Sequence, residues 1–97
     1  MNIKETILQK INKNEVFGLK FYVTWCKACK KLKPILEKLR HDDGITFIEI
    51  DVEKNRPIAV EYYVKCVPTV IIFKNGVKHI FEGYQKYETF LEAIKDV

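Results

Sequence analysis

Cys26 and Cys29 stand two residues apart, close enough for their sulfurs to act on one another. A pair at this spacing supports three chemistries: a dithiol that cycles through a disulfide, half of a four-ligand zinc site, or two side chains that only pack. The surroundings bear on the choice. Val16 to Val23 is a β-prone run containing Phe17, Leu19, Phe21, Tyr22 and Val23, and it leads directly into Thr24-Trp25-Cys26. Behind the pair, Leu32, Ile35, Leu36 and Leu39 recur at helical spacing. The cysteines therefore fall where a strand hands over to a helix. There, free backbone N–H groups and the positive end of the peptide dipoles favour a thiolate over the thiol, whose reference pKa is about 8.5. Lys27 adds to that effect where its ammonium approaches the sulfur.

The rest of the chain supplies elements that position this junction. Ile3, Ile7, Leu8 and Ile11 predict an amphipathic helix over about residues 3 to 12, and the helix after the cysteines is expected from about 27 to 41, bent at Pro34. After an Asp42-Asp43-Gly44 break, residues 45 to 52 read as a strand. Residues 55 to 63 read as a short helix with Pro57 in its first turn. Val67 to Phe73 and Val77 to Glu82 read as two strands joined by Asn75-Gly76, and Tyr87, Phe90, Leu91 and Ile94 mark a last helix. A parallel strand pair with a crossover helix, followed by an antiparallel hairpin, predicts an α/β mixed sheet flanked by helices on both faces. The 97 residues show no repeat or linker and read as a single domain, residues 1–97.

Trp25-Cys26-Lys27-Ala28-Cys29-Lys30, then Pro34, Asp51, Val67-Pro68-Thr69, Phe73-Lys74-Asn75-Gly76 and Gly83 occur in an order and spacing that resembles the thioredoxin family from about residue 16 onward. The resemblance implies a thioredoxin-like mixed sheet in a shortened four-stranded form with an N-terminal helix. It also implies an enzyme, a protein-disulfide reductase. Cys26 would attack a substrate disulfide and Cys29 would resolve the mixed disulfide, leaving a Cys26–Cys29 disulfide. The same resemblance makes Pro68 a cis-proline, has Val67 offer backbone hydrogen bonds to an extended substrate, and places Trp25, Lys27 and Ala28 in support of the site. Read without it, Trp25 is more often a packing residue and Val67-Pro68 an ordinary trans turn. Disulfide-containing proteins are the expected partners. No tightly bound cofactor is expected, so turnover needs an external electron donor: a flavoprotein thioredoxin reductase by resemblance, with glutathione or a specialised reductase as the other candidates.

Three features depart from the family pattern or exceed it. Lys27-Ala28 replaces the usual glycine-proline pair between the cysteines. Lys20 stands where the resemblance places a buried acid used in proton transfer. It reads either as a buried base with a lowered pKa or, by preference, as a lysine that snorkels to water and tunes the site by its charge. Cys66, next to Val67-Pro68, reads first as a small buried side chain and second as a point of redox regulation. His41 and His79 lack zinc-loop spacing to the cysteines, so no metal is expected.

Composition narrows the function classes. Seventeen Lys plus Arg against 13 Asp plus Glu leave a formal charge of +4, well below the basic stripe of a dedicated nucleic-acid binder, and no phosphate-binding glycine loop is present. Lys27, Lys30, Lys31 and Lys33 do gather around the pair, as a solvated helix face or as steering charge. An odd cysteine count argues against a stapled secreted fold. The polar start at Asn2, Lys4 and Glu5 does not resemble a signal peptide, and no apolar run reaches the roughly 20 residues of a membrane span. Neither a nucleic-acid nor a membrane partner is inferred, and a cytoplasmic electron-transport role is expected. The competing reading is a redox-regulated protein-binding module that does not turn over substrate; a structural metal-binding domain is the third.

Overall fold

Phe17, Leu19 and Phe21 alternate with Gly18 and Lys20 along a strand buried on both sides, and the computed structural model, which describes residues 2–95, is built around that strand. In chain order the elements are α1 (Ile3–Asn12), β1 (Phe17–Tyr22), α2 (Lys27–Asp43), β2 (Thr46–Asp51), α3 (Arg56–Glu61), β3 (Thr69–Lys74), β4 (Val77–Glu82) and α4 (Tyr87–Lys95). The sheet runs β2-β1-β3-β4, with β1 and β2 parallel and the other two pairs antiparallel. This is the four-stranded mixed sheet with a helical layer on each face that the residue pattern predicts.

The two faces bury different sets of residues, as period-two alternation requires. One gathers Phe17, Leu19, Phe21, Ile50, Ile71 and Phe73 beneath Ile7 of α1 and Ala59 of α3, with Phe17 and Phe73 stacked 4.7 Å apart. The other packs Val70 and Ile72 against Leu32, Leu36 and Leu39 of α2 and Phe90 and Ile94 of α4. Phe47 joins this second core by lying over Gly18, where any Cβ would collide with its ring.

α2 runs through Pro34, as expected, for 17 residues in all. Other element boundaries differ from the sequence expectation. Asp42 and Asp43 form the last turn of α2 rather than a break; Gly44, at φ 69°, ends the helix, its N–H donating to the Arg40 carbonyl while that of Ile45 reaches Leu39. The short helix closes at Glu61, freeing Tyr62 to pack its ring beside Phe21 and Phe73. Val67 and Pro68 lie outside β3: proline has no N–H to donate to a ladder, although the Pro68 carbonyl accepts from Gly83 at 2.8 Å. The hairpin turn is as expected, with Asn75 and Gly76 both at positive φ.

The contact at Gly18 yields a stability prediction. Gly18→Ala is expected to destabilise the fold by about 1 to 3 kcal/mol through overpacking against Phe47, lowering the midpoint of urea unfolding. In a double-mutant cycle with Phe47→Leu the two changes should be non-additive; additive losses would show that the ring is not the obstacle.

Candidate redox site

Antiparallel and parallel pairing together bring the cysteine loop, Asp51 and Pro68 to one end of the sheet. Tyr22 ends β1 opposite Asp51, the last residue of β2, and Phe21 pairs with Thr69, the first residue of β3. Gly83, bonded to Pro68, closes the same end. The Val67–Pro68 peptide is cis, as the resemblance implies, with Pro68 buried and Val67 half-buried. Asp51 organises the following turn: its carboxylate accepts from the Glu53 N–H and its carbonyl from the Asn55 side chain, both at 3.0 Å.

Cys26 is the N-cap of α2. Its backbone is extended (φ −93°, ψ 114°) and its Sγ accepts the N–H of Cys29 at 3.1 Å. The sulfur thus takes the place of the Ser, Thr, Asp or Asn oxygen that commonly satisfies a free amide at a helix start, where the peptide dipoles also favour negative charge. The two thiols are unequal in access. Cys26 is half-exposed, whereas Cys29, one turn into the helix, is 3% exposed. Burial, more than any other cause, pushes the Cys29 thiol up to about 11. Its hydrogen bond with Cys26 acts in the same sense, and backbone contact with Val23 and the charge of Lys20 act against it.

Trp25 is 71% exposed, so the packing role expected of an isolated tryptophan is not the one it has. Lys27 and Lys31 are exposed, Ala28 is half-buried, and these three line a shallow groove with Tyr84. Tyr84 was not foreseen from the sequence, because the residue after Gly83 comes near the cysteine helix only through the β3–β4 hairpin.

Lys20 is neither at the surface nor snorkelling. At 5% exposure it is buried, its Nζ 3.7 Å from a Glu49 carboxylate oxygen and 5.8 Å from the centre of the Tyr22 ring. Expectation erred because strand alternation tells which residues share a face but not which neighbour stands beside them; the register sets Lys20 against Glu49 of β2. Together with Tyr22, Val23, Thr24, Lys30 and Lys33, the two residues line a cavity of about 250 Å³ that reaches Cys29. Glu49 is the other residue that sequence reasoning missed.

Cys66 is exposed, which overturns its first reading as a buried packing side chain. Its carbonyl accepts from the buried Thr69 hydroxyl at 2.7 Å, which ties down the backbone, and its Sγ lies 3.9 Å from the same hydroxyl oxygen. His41 is exposed beside Asp42, and His79 lies in β4. Among the described residues, no group of three or more His, Cys, Asp or Glu is arranged to hold a metal ion.

The Thioredoxin family model matches residues 2–96. The chain is 45% identical over 67 residues to Thioredoxin 2 of Plasmodium berghei, covering 67% of this chain and 43% of that protein. It is 38% identical over 79 residues to a thioredoxin of Staphylococcus saprophyticus, covering 77% and 75%. It spans about half or less of the length of the first curated relatives it matches. Among solved structures, the oxidized form of mitochondrial Thioredoxin 3 from Saccharomyces cerevisiae superposes with a TM-score of 0.84 at 29% identity, covering 97% of this chain and 90% of that one.

Unequal access and charge predict ordered alkylation. With iodoacetamide, Cys26 should be modified first, and Cys29 should react appreciably only as the pH rises toward about 11. Lys20 favours the Cys29 thiolate, so Lys20→Met should move the onset of Cys29 alkylation to higher pH. Peptide mass spectrometry reads both sites; parallel labelling of the two cysteines at neutral pH would contradict the assignment.

Proposed function

Because this chain belongs to the thioredoxin family, we propose that it is a thiol-disulfide oxidoreductase that reduces protein disulfides through Cys26 and Cys29. The observation that carries the proposal is the pairing of a reachable sulfur, held at a helix N-cap by the Cys29 N–H, with a buried thiol directly behind it. Attack requires access and negative charge on sulfur, and Cys26 has both an open side and an amide donor. Resolution requires proximity and protection from outside reagents, which the burial of Cys29 supplies.

In the proposed cycle the Cys26 thiolate displaces one sulfur of a substrate disulfide and forms a mixed disulfide with the other. Cys29 then loses its proton and attacks Cys26 Sγ, releasing the second substrate thiol and closing the Cys26–Cys29 disulfide. Two electrons from an external donor restore the dithiol. A flavoprotein thioredoxin reductase is the favoured donor, ahead of glutathione or a specialised reductase, and no tightly bound cofactor is required by these steps. Exposed Trp25, the Val67–Pro68 backbone and the groove of Lys27, Ala28, Lys31 and Tyr84 form the surface that would receive the substrate.

A cytoplasmic setting is supported by the odd cysteine count. Among the described residues, no helix is long and apolar enough to cross a membrane. Exposed Cys66 is assigned no part in the elementary cycle; its role is sensitivity to oxidation.

Turnover with insulin-like disulfide substrates and a flavoprotein reductase tests the cycle. Cys26→Ser should abolish attack, and Cys29→Ser should stall as a mixed disulfide visible by intact mass. Product patterns unchanged by either substitution would sink the proposal. Cys66→Ser should retain activity but alter the disulfide-linked species formed under peroxide; an identical distribution would remove Cys66 from redox chemistry.

A further inference from the structure

A buried lysine facing a buried thiol requires an account that the two-cysteine cycle does not provide. Taking an ammonium out of water is costly unless a partner compensates, and Lys20 finds its partner in Glu49 on the neighbouring strand. Both side chains stand on the face of the sheet covered by α2, the face that also carries Phe47. They open onto the cavity that reaches Cys29, and a second cleft continues from them along α2 past Leu36, Glu37 and Arg40.

In the cycle proposed above, Cys29 must lose a proton before it can attack. The groups around it differ in what they can accept. From β1 come the Lys20 ammonium and the Tyr22 phenol; from α2 come Lys30 and Lys33; from β2 comes Glu49. Ammonium groups are proton donors, not acceptors. Glu37 lies farther along the cleft and is engaged at 3.1 Å by Arg40. The Asp51 carboxylate receives the Glu53 N–H and is not part of the cavity wall. Among the described residues, Glu49 is the only carboxylate lining the cavity that contains Cys29, and its side chain is 55% exposed, so a proton it receives can pass on to solvent.

We propose that Glu49 takes up the proton Cys29 loses in resolving the mixed disulfide, while Lys20 positions the Glu49 carboxylate and sets positive charge toward the emerging thiolate. The inference rests on the disulfide-reductase reading of the Cys26–Cys29 pair. The step balances: Cys29–SH and Glu49–COO⁻ become Cys29–S⁻ and Glu49–COOH. The thiolate then bonds to Cys26 Sγ, the Cys26–substrate S–S bond breaks, and the departing substrate thiolate is protonated by solvent, to which Glu49 also releases its proton. The cavity, about 250 Å³, is large enough for water to carry the proton between the two groups. Burial keeps the Cys29 proton in place until about pH 11, so unassisted ionisation is scarce at neutral pH. The residues divide the labour: Lys20 is a positioning residue, and Glu49 acts on Cys29 across the cavity.

Stopped-flow reaction of the prereduced chain with one equivalent of a bis(nitrobenzoate) disulfide separates the steps, because attack by Cys26 releases one thionitrobenzoate and resolution by Cys29 releases the second. Glu49→Gln should slow the second release about a hundredfold or more at neutral pH, the lower side of what general base catalysis contributes. The deficit should shrink as the pH rises toward the value at which Cys29 ionises unaided, and Glu49→Asp should recover part of the rate. Lys20→Met/Glu49→Gln, which leaves no buried charge unpaired, should show a deficit at least as large that shrinks only at higher pH, since Lys20 no longer favours the Cys29 thiolate, and serves should the single variant fold poorly. A second release equal to that of the parent chain at every pH overturns the proposal, as does a slowing that is uniform with pH. Absence of the first release in the parent chain would instead refute the reductase reading itself.

Discussion

A single hydrogen bond, from the Cys29 N–H to Cys26 Sγ at 3.1 Å, ties the chemistry of this chain to its fold. It exists only because β1 ends at Tyr22 and α2 begins at Lys27, leaving Cys26 in extended conformation as the cap between them. A helix start has amides without intrahelical acceptors, and here the acceptor is the sulfur that would attack. Shifting the start of α2 by one residue would rotate the sulfurs by about 100° around the helix axis and separate the exposed thiol from the buried one. The packing of Leu32, Leu36 and Leu39 against Val70 and Ile72 holds α2 in its rotational setting and so holds the two sulfurs in theirs.

Burial then divides two chemically identical side chains into different roles. Cys26 faces out between Trp25 and the lysines of α2, whereas Cys29 faces the sheet and keeps its proton more firmly. A resolving thiol protected in this way does not compete for external disulfides, but it must lose its proton where bulk water does not reach it directly. The wall opposite Cys29 is correspondingly polar. Lys20 and Glu49 form an ion pair in a sheet whose neighbouring positions are filled by Val70, Ile72 and Phe47, and the charge of Lys20 is one of the influences that favour the Cys29 thiolate. Hydrophobic packing and polar chemistry thus occupy adjacent stretches of the same sheet face.

Much of this was legible from residue order alone because the signals are local. Apolar spacing in Leu32, Leu36 and Leu39 marks α2, the β-prone run ending at Val23 marks β1, and Asn75-Gly76 marks the hairpin through the positive φ values its turn demands. Two cysteines at a strand-to-helix handover are likewise a local signal, and the placement of Cys26 at the N-cap follows from it. The cis Val67–Pro68 peptide was implied only by resemblance, since the residues alone favour trans. Cys66 misled for a physical reason: free cysteine is commonly buried, but the Thr69 hydroxyl on its carbonyl ties this residue into an exposed loop.

What the sequence by itself determined was therefore the set of elements, their order and the dithiol at the junction, because each depends on spacing over a few residues. Only the tertiary structure decided which side chains surround that dithiol. Parallel register between β1 and β2 sets Lys20 beside Glu49, and the hairpin return brings Tyr84 to the groove beside Lys27 and Ala28. Both are contacts between residues 29 and more than 50 positions apart, where helical or strand periodicity carries no information, since a one-residue slip in register would turn the opposite face of β2 toward Lys20.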